Sequence, residues 1–316
     1  MNKQKIYIGI DTSNYTTSIG VCNDKGEIIA NIKKLLDVKE GERGLRQSDA
    51  VFAHVKNFPL LAPQLAKVIE NYDVQAIGVS TTPRDVEGSY MPCFLTGKSV
   101  ADMLGATHNA PVYEFSHQSG HIMAALYSSG NLEMLLKNDF VAFHVSGGTT
   151  EAVYVTPNSN RFDIRVIAET SDISAGQAID RAGVMMGLKF PCGKEIEYLA
   201  GQYKGKLPKA KICVKNGKCN LSGLENISQK LYNETGDASL VSKYVLNFVG
   251  ETLLKLTNDI REEYPDIPVL YAGGVMSNKY LQNRLSQFDK TYFATPEFSA
   301  DNAAGIALLT YKSNKS

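Results

Sequence analysis

Two stretches of the 316-residue chain follow one plan, and the pair constrains the fold more than any other feature of the sequence. Residues 6–22, IYIGIDTSNYTTSIGVC, read as an apolar strand, a turn of small hydroxyl residues and a second β-branched strand. Residues 140–155, FVAFHVSGGTTEAVYV, repeat this with Ser146-Gly147-Gly148-Thr149-Thr150 at the turn. Each is expected to form a β-hairpin. A third strand is predicted after each, at about 27–36 and 162–169, then a helix opening with Ser48-Asp49 in one copy and Ser171-Asp172 in the other. Each copy then offers a β-rich run, VQAIGVS at 74–80 and IPVLYAGG at 267–274, followed by a helical stretch. A period this long marks a duplicated domain, not a solenoid.

The shared order of strand, strand, strand, helix, strand, helix predicts an α/β chain of the actin, hexokinase and Hsp70 type, with two like domains facing each other across a nucleotide cleft. At 316 residues the chain exceeds one ordinary core and suits two. The expected boundaries are 1–115 plus 295–316 for the first actin-like ATPase domain and 116–294 for the second. Hairpin tips of Gly, Ser and Thr let backbone N–H groups approach phosphate oxygens with no side chain in the way. Two such tips at equivalent places in a repeat point to a polyphosphate or acyl-phosphate ligand.

Composition excludes several classes. The chain is 43% hydrophobic and 21% charged, without a low-complexity tract, so disorder is not expected. No stretch approaches the roughly 18 apolar residues that span a bilayer. The five cysteines form no CxxC and cannot all pair, which fits reduced thiols in the cytoplasm and no structural zinc knot. Net charge is zero, so a nucleic-acid partner would need a local patch. One candidate runs from Tyr198 to Leu224, where Lys204, Lys206, Lys209, Lys211, Lys215 and Lys218 occur with no acidic residue; a solvated lysine-rich loop or edge strand accounts for the run equally well.

His117 and His121 stand four apart after Ser116, a candidate N-cap, so on a helix both imidazoles reach one ion. Gln118 stands where a zinc protease of the HExxH type needs glutamate, which disfavours proteolysis. Asp301, in FSADNAAGIALL, could complete a two-histidine, one-carboxylate site suited to iron or zinc; alternatively Asp301 or Ser299 simply caps the last helix. Asp180 shares a helix face with Gly176 and Gly187 and could accept hydrogen bonds from ribose hydroxyls. In AGGVMSN at 272–278, backbone can approach an adenine while Asn278 offers a donor and an acceptor, and Ser277 is a candidate cap.

Together IDTSNYTTSIGV, HQSGH, HVSGGTTEAVYV, DISAGQAIDRAGVMMGLKFPCGKEIEYLA, CNLSGLEN, YAGGVMSNKYLQNRL and DNAAGIALL, in that order over nearly the whole chain, resemble the TsaD family, the catalytic subunit of tRNA threonylcarbamoyladenosine synthesis, once called O-sialoglycoprotein endopeptidase. The resemblance implies an acyltransferase moving threonylcarbamoyl from its adenylate to N6 of A37 in tRNA. It implies one iron or zinc ion on His117, His121 and Asp301. It also implies threonylcarbamoyl-AMP or ATP lined by His144, Val145, Ser146, Gly147, Gly148, Asp180, Gly193, Glu197 and Asn278. Asp11 matches an acidic family position and could orient substrate or accept a proton. TsaB-like and TsaE-like helpers are implied as partners.

The chain departs from the family at several places: Asn14-Tyr15-Thr16 replaces an acidic pair, and Thr81-Thr82-Pro83-Arg84-Asp85 replaces a Gly-rich loop. Thr149 stands in SGG-[HN]-T, Ile173 in DDAAG and Cys192 in PGGP. These changes raise two alternatives: a paralogous carbamoyl or phosphoryl transferase acting on a small molecule, and a non-catalytic nucleotide-binding partner of a synthase complex.

Overall fold

A computed structural model of the protein describes residues 3–13, 15–37, 45–159, 161–300 and 302–315. Asn14 and Asp301, both singled out above, lie outside them. In chain order the first elements are β1 (Gln4–Ser13), β2 (Thr16–Asn23), β3 (Ile28–Leu35), α1 (Gln47–Ile69), β4 (Tyr72–Thr82), α2 (Phe94–His108), β5 (Val112–Ser116) and α3 (His117–Ser128). Then follow α4 (Leu132–Leu135), β6 (Phe140–Val145), β7 (Thr150–Pro157), β8 (Phe162–Thr170), α5 (Ala175–Met185), α6 (Gly193–Gln202), β9 (Cys213–Lys215) and β10 (Lys218–Asn220). The last are α7 (Gly223–Thr235), α8 (Ala238–Glu263), β11 (Val269–Ala272), α9 (Lys279–Leu285), β12 (Thr291–Phe293), α10 (Pro296–Ser299) and α11 (Ala304–Lys315).

These elements divide into two units, Met1–Gly130 with Pro157–Asp163 and Ala300–Ser316, and Asn131–Thr156 with Ile164–Ser299. Helix α3 packs on α11 and therefore belongs with the first unit, whereas the sequence reading began the second at residue 116.

In the first unit the sheet order is β3-β2-β1-β4-β5. The β1–β2 hairpin is antiparallel, and β4 and β5 run parallel to β1. Strand alternation puts Ile6, Ile8 and Ile10 on one face, where they meet Leu61 and Leu65 of α1 and Ala101 of α2. The buried residues of α1, namely Ala50, His54, Asn57, Leu61 and Leu65, recur at helical spacing, which fixes that contact. On the opposite face the strands carry Gly9 and Gly20, and α11 lies directly on them: a Cβ at Gly9 would sit 2.3 Å from Ala307 N. Helices α3 and α11 touch just as closely, since a Cβ at Gly305 would meet Gly120 O at 1.9 Å.

The second unit repeats the plan. Its sheet runs β12-β11-β6-β7-β8-β10-β9, with β6–β7 antiparallel and β11 and β12 parallel to β6, so five of its strands copy the first sheet. The β10–β9 pair is an addition at one edge. Helix α8 is capped by Asp237, whose carboxylate accepts from Ser239 N and Leu240 N, and its inward residues join Tyr271, Phe143 and Val269 in the core.

The helix starts differ in detail from the sequence reading. Helix α1 begins at Gln47, so Ser48 and Asp49 lie in its first turn, and Asp49 there favours the helix dipole. Helix α5 is capped by Ser174, not by Ser171-Asp172. Asp172 instead accepts from Leu221 N, Ser222 N and Ser222 Oγ at 2.9, 3.0 and 2.6 Å, tying β10 and α7 to the end of β8. Among the described residues no helix is long and apolar enough to cross a membrane.

Candidate functional site

In the first unit the two histidines are fixed by the start of α3. Ser116 caps that helix, its Oγ accepting from Ser119 N, as the sequence predicted. Asp85 accepts from Ser116 Oγ at 2.6 Å and from Ser119 Oγ at 2.8 Å, and Gln118 N donates to Pro83 O. The Thr81–Asp85 loop thus pins the helix that carries the histidines, and its carboxylate lies where the helix dipole favours it. Sequence reasoning flagged the loop only as a departure.

Asp11, at the end of β1, is 1% exposed. Its Oδ1 accepts from Ser13 N at 2.9 Å, and its Oδ2 accepts from His117 Nδ1 at 2.7 Å. A buried carboxylate needs such donors. Because an ionised carboxylate can only accept, Nδ1 carries the proton, which leaves Nε2 as the His117 nitrogen able to offer a lone pair to an ion. Nε2 faces His121 Nε2 at 2.9 Å, with the rings nearly perpendicular at 78°.

The other side of β1 is locked as well. Thr12 Oγ1 donates to Cys93 O and accepts from Gly97 N of α2. Thr17 bonds His54 Nδ1 at 2.8 Å and accepts from Asn57 Nδ2 at 3.0 Å. Burial lowers the pKa of His54 against the opposing pull of Asp11, so it stays neutral at pH 7. Sequence reasoning missed His54; the only signal was its place on the inward stripe of α1.

The pair fits a metal ion. Two bonds of about 2.05 Å at a tetrahedral angle hold their nitrogens about 3.3 Å apart, a few tenths of an ångström beyond the separation here. A carboxylate on the far nitrogen of a ligating histidine is the usual second-layer support of such an ion. No group of three His, Cys, Asp or Glu side chains able to hold a metal occurs among the described residues. Asp301, the expected third ligand, lies outside them. At the start of the last helix Asn302 Oδ1 accepts from Ala304 N, while Ser299 Oγ donates back to Thr295 O, just before α10.

The nucleotide candidates gather in the second unit around the carboxyl ends of β6 and β11. His144 pairs with Ala272 across these strands, and Gly273, at φ 101°, packs its Cα against Val145. A side chain at Gly273 would be strained and would sit 2.3 Å from Val145 O. The Ser146–Thr149 turn is closed by Ser146 N donating to Thr149 O and by Gly148 N and Thr149 N donating to Ser146 Oγ. Gly147 and Gly148 are exposed, and a Cβ on either would meet nothing, so their backbone is open to a ligand. Gly176 lets the start of α5 touch this turn, its N–H donating to Ser146 O.

Asp180 accepts from Cys192 N at 2.7 Å, which anchors the start of α6 and Gly193 beside it. Burial raises the Asp180 pKa, and the Cys192 bond partly offsets this. Glu197 on α6 accepts from Lys279 N at 2.7 Å. Asn278 caps α9 by accepting from Leu281 N, and Ser277 ends the short 3₁₀ turn before it. Hydrogen bonds therefore link Asp180 to the start of α6, and α6 through Glu197 to the start of α9. Cys192, a departure from the family pattern, is buried with its Sγ against Gly183 and fills core space.

The model of the family described as TsaD, tRNA N6-adenosine threonylcarbamoyltransferase, matches residues 27–308. A protein of that name from Streptococcus pneumoniae strain Taiwan19F-14 is 32% identical over 295 residues, covering 90% of this chain and 84% of its own. Its counterpart from strain D39 is 31% identical, with 96% and 91% covered. Among solved structures, HypF of T. kodakarensis aligns with 99% of this chain and 48% of its own at TM-score 0.61 and 12% identity. Component A of the Acidaminococcus fermentans (R)-2-hydroxyglutaryl-CoA dehydratase covers all of both chains at TM-score 0.53 and 16% identity. At such identities the structures speak to fold alone, and that fold is the duplicated actin-like ATPase fold expected from the two hairpins. The sequence matches do not favour the small-molecule or non-catalytic alternatives. The chain belongs to the TsaD family of tRNA N6-adenosine threonylcarbamoyltransferases.

Proposed function

We propose that the chain transfers a threonylcarbamoyl group from threonylcarbamoyl-AMP to N6 of adenosine A37 in tRNA, with an iron or zinc ion held by His117, His121 and Asp301. The observation that carries this reading is the chain of contacts from Asp11 to His117 to His121, a carboxylate-supported pair of converging imidazoles of the kind a metal ion uses. In the transfer a C–N bond forms between the carbamoyl carbon and N6. The bond from that carbon to the adenylate phosphate oxygen breaks, AMP leaves with the bonding pair, and the proton given up by N6 passes to water. The mixed anhydride is already activated, so catalysis consists of alignment and charge stabilisation.

The bound ion would supply Lewis-acid stabilisation of substrate oxygens. The exposed Gly147–Gly148 tip, with Ser146, His144 and Val145 at its base, lies against the phosphate oxygens, where no side chain blocks their approach. Asp180 accepts from the ribose, and Gly193, Glu197 and Asn278 shape the adenylate site. Asp11 acts through His117, because both of its oxygens are engaged and the residue is buried.

TsaB-like and TsaE-like helpers belong to this reading. It is supported by an apolar groove between α1 and α2, lined by Ile19, Val55, Phe58 and Leu95, with Phe52 and Met103 exposed on those helices. The five free thiols agree with a cytoplasmic protein, and the two structural units with two actin-like domains.

The test is transfer from synthetic threonylcarbamoyl-AMP to unmodified tRNA by the purified protein, alone and with helper proteins, read by nucleoside mass spectrometry. Modified adenosine with the parent and none with His117→Ala supports the reading. Equal yields from both would remove the metal pair from the reaction.

A further inference from the structure

The proposed function leaves a polyanionic substrate to be held by a chain with no net charge. The Tyr198–Leu224 segment supplies a local answer in the second unit. Lys204, Lys206, Lys209, Lys211, Lys215 and Lys218 are all exposed. Between residues 209 and 215 the chain alternates strictly. Ala210, Ile212 and Val214 turn inward and pack on the core, while Lys209, Lys211, Cys213 and Lys215 face solvent. In extended chain, residues two apart lie about 6.6 Å apart on one face, so the ammonium groups form a row. Among the described residues only Lys218 of the six has a carboxylate partner, Glu169.

Protection of a sheet edge does not account for this row. Strand β9 covers only Cys213–Lys215 and pairs with β10, yet Lys204, Lys206, Lys209 and Lys211 precede it, where there is no edge to guard. A second observation marks one end of the row. Lys243 on α8 lies over the ring of Tyr280 at 4.2 Å, with Arg284 on the other turn of α9 5.8 Å from the same ring. Partial burial holds the Lys243 pKa below its ordinary value, and the charges of Lys204 and Arg284 add to that effect. Three cations are thus brought together with their repulsion only partly answered by the Arg284–Glu251 pair. At the other end, Asn216 and Gly217 border a cleft with Leu256 and Ile260 of α8. The row therefore follows α8 from Lys243 to about Ile260, roughly 25 Å at 1.5 Å per residue.

We propose that this lysine row, ending at the Lys204–Lys243–Arg284 cluster, is the surface that holds the phosphate backbone of the tRNA substrate. The proposal rests on the transferase reading above. It assigns the row to affinity and orientation, since contacts to phosphates carry no sequence information.

The test compares the parent, a triple variant Lys206→Glu, Lys209→Glu and Lys211→Glu, and a control in which Lys25, Lys33 and Lys137, exposed elsewhere, are changed in the same way. The probe is an unmodified tRNA transcript with adenosine at position 37, titrated at several salt concentrations. Calorimetry with an adenine nucleotide checks that each variant still folds and binds its small ligand. The triple variant should bind the transcript at least about tenfold more weakly than the control, with the slope of log affinity against log salt reduced by about 2–3 for three lost contacts. If the parent binds tRNA and the triple variant matches the control in both readouts, the surface is wrong and the transferase reading stands. If the parent does not bind the transcript at low salt, with or without helper proteins, both fall.

Discussion

Asp11→Asn keeps the shape of the Asp11 side chain and reverses the polarity of one hydrogen bond. In the parent, Oδ1 accepts from Ser13 N and Oδ2 accepts the Nδ1 proton of His117 at 2.7 Å. The variant retains an oxygen for Ser13 N but sets an amide NH₂ against Nδ1–H, so two donors face each other. His117 relieves this by moving its proton to Nε2, which places N–H where the lone pair pointed toward His121, 2.9 Å away. Water cannot substitute for the lost acceptor because Asp11 is 1% exposed. Loss of a second-layer carboxylate typically weakens metal binding 10–100-fold, about 1.4–2.7 kcal/mol. Competition of the metal-free protein with a chromophoric chelator for Zn²⁺ measures this, with circular dichroism confirming the fold and His117→Ala as the reference for a lost ligand. A folded Asp11→Asn protein that binds zinc within about threefold of the parent would refute the tautomer reasoning.

Three further outcomes are expected. Gly305→Ala should destabilise the protein by about 1–3 kcal/mol in urea unfolding, because its Cβ would meet backbone, Gly120 O at 1.9 Å, whereas Gly120→Ala meets the end of a side chain, Ile306 Cδ1 at 2.8 Å, and should cost less. Burial alone would raise the Asp172 pKa, but donation from Leu221 N, Ser222 Oγ, Ser222 N and Ile173 N outweighs it and holds the carboxyl well below the usual range. A depressed folded pKa contributes stability above the unfolded value of about 3.9 and loses it as pH falls further, so Asp172→Asn should lower the urea midpoint at pH 7 and the gap should narrow below about pH 4. Asp180→Ala should weaken adenine-nucleotide binding by about 1.5–3 kcal/mol in calorimetry, and unchanged affinity in a folded variant would remove Asp180 from the ribose role.

The duplication was legible because strand alternation and small-residue turns are local signals, and the two sheets share the order in which their strands were read. The histidine pair was legible from helical spacing and the Ser116 cap. What lay hidden depends on contacts far apart in sequence. Asp11 and His117 are 106 residues apart, and their meeting requires α3 to lie on the face of β1 that carries Asp11. His54 shares a stripe with ordinary core residues, so nothing local separates it from them. The α5 cap was misplaced because Asp172 and Ser174 are both good caps, and the β10–α7 connection, 49 residues away, takes up Asp172. Asp85 looked like mere divergence until the structure placed it under the start of α3.

The most direct measurement is rescue of cells depleted of their own catalytic subunit, with total tRNA digested and N6-threonylcarbamoyladenosine quantified by mass spectrometry. The account predicts that this gene restores the modified nucleoside and that His117→Ala and His121→Ala do not, although both variants accumulate as folded protein. Absence of the nucleoside with the parent gene, supplied together with its own helper proteins, would contradict the account.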